Sequence, residues 1–167
     1  MRILGSRLFD KKEIAMFKKE KIPPTTKRVR LNTSDNLNKK IKDRTIDNIE
    51  KYKNVDEEAL TNRLRVLNKE WNTERVLEAN ASTLILISTI LGLRKNRNWF
   101  ILTKLVSFFL LQHAVQGWCP PLPVIRRLGI RTPEEISNEK TAVKYLRGDF
   151  SFKSNDPVEI LEMIRKD

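Results

Sequence analysis

The stretch ASTLILISTILGLRKNRNWFILTKLVSFFLLQHAVQGWCPP, residues 81–121, decides what kind of fold this chain makes. From Ala79 to Leu93, fifteen residues carry no charge, and Leu84, Leu86, Ile90 and Leu91 leave most of the circumference of the predicted helix apolar. A helix that is greasy all round must be buried in protein or in lipid. After the basic break Arg94–Asn98, Trp99 opens a second run that reaches Gly117 with Lys104 as its only charge. A hydrocarbon core of about 30 Å takes roughly 20 helical residues, with about 17 tolerated. The first run is borderline by that measure, whereas the second, 21 positions from Trp99 to Cys119, is long enough. Lys104 lies near the start of its run, where a long side chain reaches back toward an interface.

Other features point to lipid. Trp99 and Trp118 bracket the second run where an aromatic belt would lie. Small residues recur at close-packing spacing, Ser88 with Gly92 and Ala114 with Gly117. Seven bases (Arg63, Arg65, Lys69, Arg75, Arg126, Arg127, Arg131) flank the terminal side, against three in the connecting loop. Because cytoplasmic segments carry the positive excess, both termini are expected in the cytoplasm and the hairpin in the cell (inner) membrane. Cys119, Pro120 and Pro121 are expected to stop the second helix, since proline lacks the amide donor and its ring obstructs the preceding turn.

Working outward, no alternating β-branched run appears, and the chain reads as all-α: a two-helix transmembrane hairpin flanked by amphipathic or soluble helices. Residues 1–33 form a basic, partly disordered arm broken by Pro23 and Pro24. Residues 34–75 form a cytoplasmic helical segment, 76–119 the hairpin, and 120–167 the C-terminal cytoplasmic helices. In the first flank, Leu37, Ile41, Ile46 and Ile49 make an imperfect apolar stripe, and Asn54 or Asp56 caps the next helix. There Leu60, Leu64, Leu67 and Trp71 recur at steps of four, three and four, which predicts one shared face. Beyond Gly129, Thr132, Pro133 and Glu135 spell a capping box with proline at the first helical position, opening a helix to about Arg147 that stops at Gly148. Asp156, Pro157 and Glu159 repeat that grammar.

The formal charge of +12 makes polyanions the first partners to consider. Residues 1–75 hold 20 bases and 12 acids, so most of the excess is N-terminal. Lys18, Lys19 and Lys21 of the arm, with Arg126 and Arg127 after the hairpin, are expected at a lipid surface with anionic headgroups, each contributing about 1 kcal/mol. A nucleic-acid partner would want aromatic stacking residues, and Phe9 and Phe17 alone do not supply them. No cleavable signal is expected, because charge interrupts the N-terminal hydrophobic residues. One cysteine makes no internal disulfide, which fits a reducing compartment.

Two residues invite chemistry. Cys119 is the candidate thiol, yet it follows a helix C-terminus, where the dipole disfavours a thiolate. Structural filling beside a proline stop competes there with a persulfide or redox role, palmitoylation or metal binding. His113 lies deep in the second run, between Gln112 and Gln116, and an antiparallel hairpin would bring Glu78 and Asn80 to similar depth. That intramembrane polar cluster reads as interhelical glue worth about 1 kcal/mol, or as a proton or ligand site. No catalytic set, phosphate loop or zinc spacing is found, so neither cofactor nor metal is expected.

At GWCPPLPVIRRLG, residues 117–129, the chain resembles the YgaP-like transmembrane domain family, small two-helix membrane hairpins whose second helix ends in Gly, aromatic, Cys, Pro followed by Leu-Gly. Gly117, Trp118, Cys119 and Pro120 match that motif, Leu128 and Gly129 the later pair, and ERVLEANASTLILISTILGL looks like the family's first helix. The likeness covers about residues 74–130. It implies a membrane-embedded, self-associating hairpin, a homodimer here, which in some members anchors a sulfurtransferase (rhodanese) domain. This chain has basic helical flanks where that domain would stand, and its doubled proline also differs.

The expected function is therefore a noncatalytic, membrane-anchored helical scaffold that binds a protein partner through its cytoplasmic helices. The alternatives are a membrane thiol protein using Cys119, and a soluble basic nucleic-acid binder.

Overall fold

A computed structural model describes residues 22–151 and 156–165. Among them every regular element is a helix: α1 (Arg28–Leu31), α2 (Asp35–Lys51), α3 (Glu57–Lys69), α4 (Thr73–Arg94), α5 (Trp99–Gln116), α6 (Leu122–Arg127), α7 (Pro133–Arg147) and α8 (Pro157–Arg165). The lysines of the arm expected at a lipid surface, Lys18, Lys19 and Lys21, lie outside the described residues.

The chain divides into two compact units. An apolar unit holds Leu77–Val124 with the described part of Met1–Ser34, and an ion-paired unit joins Asp35–Val76 to Ile125–Asp167. The two flanks, read as separate segments, make one unit.

Helix boundaries follow local chemistry. Asp56 caps α3 by accepting the Ala59 N–H at 2.9 Å, and Asn72 does the same for Arg75 at 2.8 Å at the start of α4. Both satisfy amides that have no intrahelical partner. The capping box before α7 forms as the sequence predicts: the Thr132 hydroxyl accepts from the Glu135 N–H at 3.2 Å while the Glu135 carboxylate accepts from the Thr132 N–H at 2.8 Å. Thr132→Ala removes half of it and is expected to lower stability by about 1 kcal/mol, read as a lower urea midpoint than wild type in the same detergent. The end of α5 differs from expectation. Gly117, not the prolines, terminates it: at φ 75° it takes the left-handed conformation and its N–H donates to the His113 carbonyl, so the helix has already turned away before Pro120 is reached.

In the ion-paired unit the core is built from Leu60, Leu64 and Leu67 of α3 against Ile136 and Val143 of α7, with Tyr52 and Leu146 at its edge. The heptad-like stripe thus delivers three of its four members. Trp71 is 51% exposed, because the backbone becomes extended at Glu70 and breaks the helical register before it arrives. Ile41 of the α2 stripe is buried, but Ile46 is half exposed.

In the apolar unit α4 and α5 meet at small residues. The Ser88 and Thr103 hydroxyls share a hydrogen bond of 2.7 Å, and Gly92 lies under the Phe100 ring, which a Cβ there would meet at 3.0 Å. Two stretches are long and apolar enough to cross a membrane, one within Glu57–Arg94, where α4 carries the uncharged run, and one at Trp99–Gln116.

Candidate functional site

The motif Gly117, Trp118, Cys119, Pro120 forms a closed corner. A side chain on Gly117 would lie 2.5 Å from the Arg28 carbonyl carbon, so only glycine lets α1 approach. Asn32 completes the clasp, its amide donating to the Gln116 carbonyl at 2.7 Å and to the Arg28 carbonyl at 2.9 Å. Val29 and Cys119 are each 2% exposed, while Trp118 and Pro120 face outward. The distal part of the arm, expected to be loose, is folded onto the end of α5. The thiol sits in packing, where a redox partner has little access.

The polar positions of the two apolar helices divide. His113 is buried, Gln112 is half-buried, and Gln116, Glu78 and Asn80 are exposed. They share the unit but not one buried cluster. Of the small residues at close-packing spacing, Ser88, Gly92 and Gly117 are covered within the chain and Ala114 is exposed.

Arg126 departs most from its expected role. It is buried, with its guanidinium forked onto both Glu135 oxygens at 2.8 Å and donating to the Ile130 carbonyl at 3.0 Å and to Asn38 Oδ1 at 3.2 Å. Both terminal nitrogens are used inside the ion-paired unit, which leaves Arg127, exposed, as the base on this turn that faces solvent.

A second set, not anticipated from the sequence, lies beside it. Glu139 of α7 is wholly buried and is held by Arg63 of α3, whose Nε donates at 3.0 Å, and by Arg131. Arg131 also forks onto Glu70 at 2.8 and 2.6 Å. The result is an alternating chain Arg63–Glu139–Arg131–Glu70 across α3, the loop before α7, and α7. A signal was present: Glu139 falls three residues after Ile136 and four before Val143, on the face those two bury. Nearby, Arg147 pairs with Asp149 at 2.7 Å and donates to Thr61 at 3.0 Å, and the Lys144 ammonium donates to the Ile164 carbonyl at 2.9 Å, tying down α8.

The electrostatics of this set are those of charged partners. Burial would lower the Arg131 pKa, but its bonds to Glu70 and Glu139 outweigh that and hold it above the ordinary arginine value. Burial likewise pushes the Glu135 carboxyl up, and Arg126 with the Thr132 N–H reverses it, leaving Glu135 below the ordinary 4.5. A depressed carboxylate stabilises the fold fully above its unfolded pKa and loses that contribution as pH falls through the folded value. Stability from Glu135 is therefore expected to be constant above pH 4.5 and to decline below it. Arg131 adds no pH dependence in the usual range. Melting temperatures measured from pH 7 to 3 check this, and Glu135→Gln should flatten the acid limb.

The set joins α3, the turn before α7 and α7 through charged hydrogen bonds. Among the described residues no three His, Cys, Asp or Glu side chains converge to hold a metal ion. Compared with family models, curated proteins and solved structures, the chain matches none.

Proposed function

We propose that this is an integral membrane protein in which α4 and α5 form a transmembrane hairpin and the ion-paired unit is a noncatalytic scaffold for a protein partner. One observation carries the reading: only 17% and 6% of the two apolar stretches is buried within the chain. A core helix of a soluble protein would be mostly covered. Here Leu86, Leu93, Ile101, Phe108 and Leu111 are each more than half exposed, which in water amounts to an apolar surface that a monomer rarely tolerates.

Dimensions agree. At 1.5 Å per residue, the 22 residues of α4 span about 33 Å and the 18 of α5 about 27 Å, against a core of about 30 Å. The Ser88–Thr103 bond and the Gly92–Phe100 contact give the pair the close packing that helices in lipid use. This keeps the membrane hairpin implied by the YgaP-like resemblance, placed in the cell membrane with both termini cytoplasmic. It sets aside sulfur transfer, since the burial of Cys119 favours a packing role. Partner binding falls to the ion-paired unit, where Val158, Leu161 and Ile164 of α8 are exposed.

Fractionation of expressing cells tests the reading. The chain is expected in the membrane pellet after an alkaline carbonate wash, and it should leave only with detergent. Recovery as a monodisperse protein in plain buffer overturns it. Salt-dependent retention on RNA or DNA by that soluble material would establish the nucleic-acid alternative.

A further inference from the structure

The arginines of the ion-paired unit fall into two groups. Arg63, Arg126, Arg131 and Arg147 each pair with a carboxylate. Arg44, Arg65, Arg75 and Arg127 are exposed, and among the described residues none of the four is paired with one. Three of them, Arg44, Arg75 and Arg127, lie on segments that meet at one turn. The Thr73 N–H donates to the Arg131 carbonyl at 2.8 Å and its hydroxyl to the same oxygen at 3.0 Å, which draws the first turn of α4 beside the turn at residues 127–131. Arg75 lies on α4 with its guanidinium 4.6 Å from the centre of the Trp71 ring. Arg44 reaches the turn from α2: its guanidinium stands 2.6 Å from where a Cβ on Gly129 would be, so the bare glycine is what seats it. The same segments carry Trp71, 51% exposed, and Leu128, 70% exposed.

We propose that Trp71, Leu128 and the arginines Arg44, Arg75 and Arg127 form a seat for anionic phospholipid headgroups, at the point where the chain passes from the ion-paired unit into α4. The proposal rests on the membrane reading above. Charge and shape both favour this occupant. Guanidinium groups bind phosphate oxygens in pairs, and with no carboxylate partner these have donors to spare. An indole with one apolar and one polar edge settles at the headgroup level, and Leu128 adds apolar area beside it. Continuity supports it too, because Arg75 stands two residues before Leu77, where the apolar unit resumes. The stacked Arg75 would hold Trp71 in place while keeping its own outer edge for a phosphate.

The test uses the full chain with Trp99→Phe and Trp118→Phe, leaving Trp71 as the sole indole. It is reconstituted into vesicles of phosphatidylcholine and phosphatidylglycerol in equal parts, with bromine on the acyl chains of one lipid or the other, and vesicles are floated before measurement. Trp71 is expected to be quenched more by brominated phosphatidylglycerol than by brominated phosphatidylcholine. Removing an arginine should cut the local enrichment about fivefold, first in Arg75→Gln and then in Arg127→Gln, which leaves the Arg75–Trp71 stack intact. Equal quenching by the two lipids, or quenching only by aqueous iodide, overturns the seat while the floated protein upholds the membrane reading. Failure to float overturns both.

Discussion

Glu139→Ala is expected to destabilise the ion-paired unit by about 3–5 kcal/mol, enough to unfold it under conditions where the parent is stable. The carboxylate is wholly buried and faces two guanidinium groups, Arg63 and Arg131. Removing it does more than delete two ion pairs. It leaves positive charge in a site that water does not reach freely, and the penalty of that orphaned charge exceeds the net worth of the pairing itself. Arg131 retains Glu70, which is 29% exposed at its side chain, so the heavier loss falls on the Arg63 side. A urea titration in mild detergent reads the change as a shift in midpoint. The charge origin has its own check: Arg63→Met with Arg131→Met and Glu139→Leu removes the three charges that meet at Glu139 at once and should recover most of the loss, since apolar replacement of such a set is often neutral or better. A loss under 1 kcal/mol in the single variant would sink this account.

Gly117→Ala is expected to cost about 2–4 kcal/mol and to detach α1. Two effects add. At φ 75° an alanine is strained by about 1 kcal/mol, and its Cβ would stand 2.5 Å from the Arg28 carbonyl carbon. That atom is backbone and cannot swing aside, so overpacking adds about 1–3 kcal/mol. As α1 lifts, the bond from Asn32 to the Gln116 carbonyl goes with it. Trypsin should then cut after Arg28 and Arg30 far faster than in the parent. Gly148→Ala is the control: its φ of 89° carries the same conformational strain, but nothing lies within 4 Å. The difference between the two isolates the steric part. Equal protease resistance of the Gly117 variant and the parent would refute the clasp.

What the sequence made legible was local. The Asp56 cap, the Thr132–Glu135 box, the Gly148 stop and both apolar runs depend on neighbours within a turn or two, and the structure places each where spacing predicts. The misreadings concern residues whose fate is set at long range. Arg126 reads as surface charge until Asn38, 88 positions away, and Glu135 close around it. Trp71 continues the Leu60–Leu64–Leu67 spacing on paper, but the extended backbone at Glu70 removes it from that face. Gly117 reads as a packing and motif glycine while the helix stop goes to the two prolines, because the pattern does not show that Arg28 comes to rest against it. Glu139 was the one long-range feature with a local sign, a charge interrupting a buried stripe.

The ion-paired unit is assembled from stretches that leave the ribosome far apart in time. Leu60, Leu64 and Leu67 emerge early, but the Ile136 and Val143 that cover them come after the whole of α4 and α5. At about 5–20 residues per second the interval is on the order of ten seconds. During it the nascent α3 carries a bare leucine ridge, with Arg63 and Glu70 awaiting Glu139 and Arg131. A transcript truncated before Pro133 would therefore release a polypeptide that never completes this half, one fated for chaperone capture or degradation.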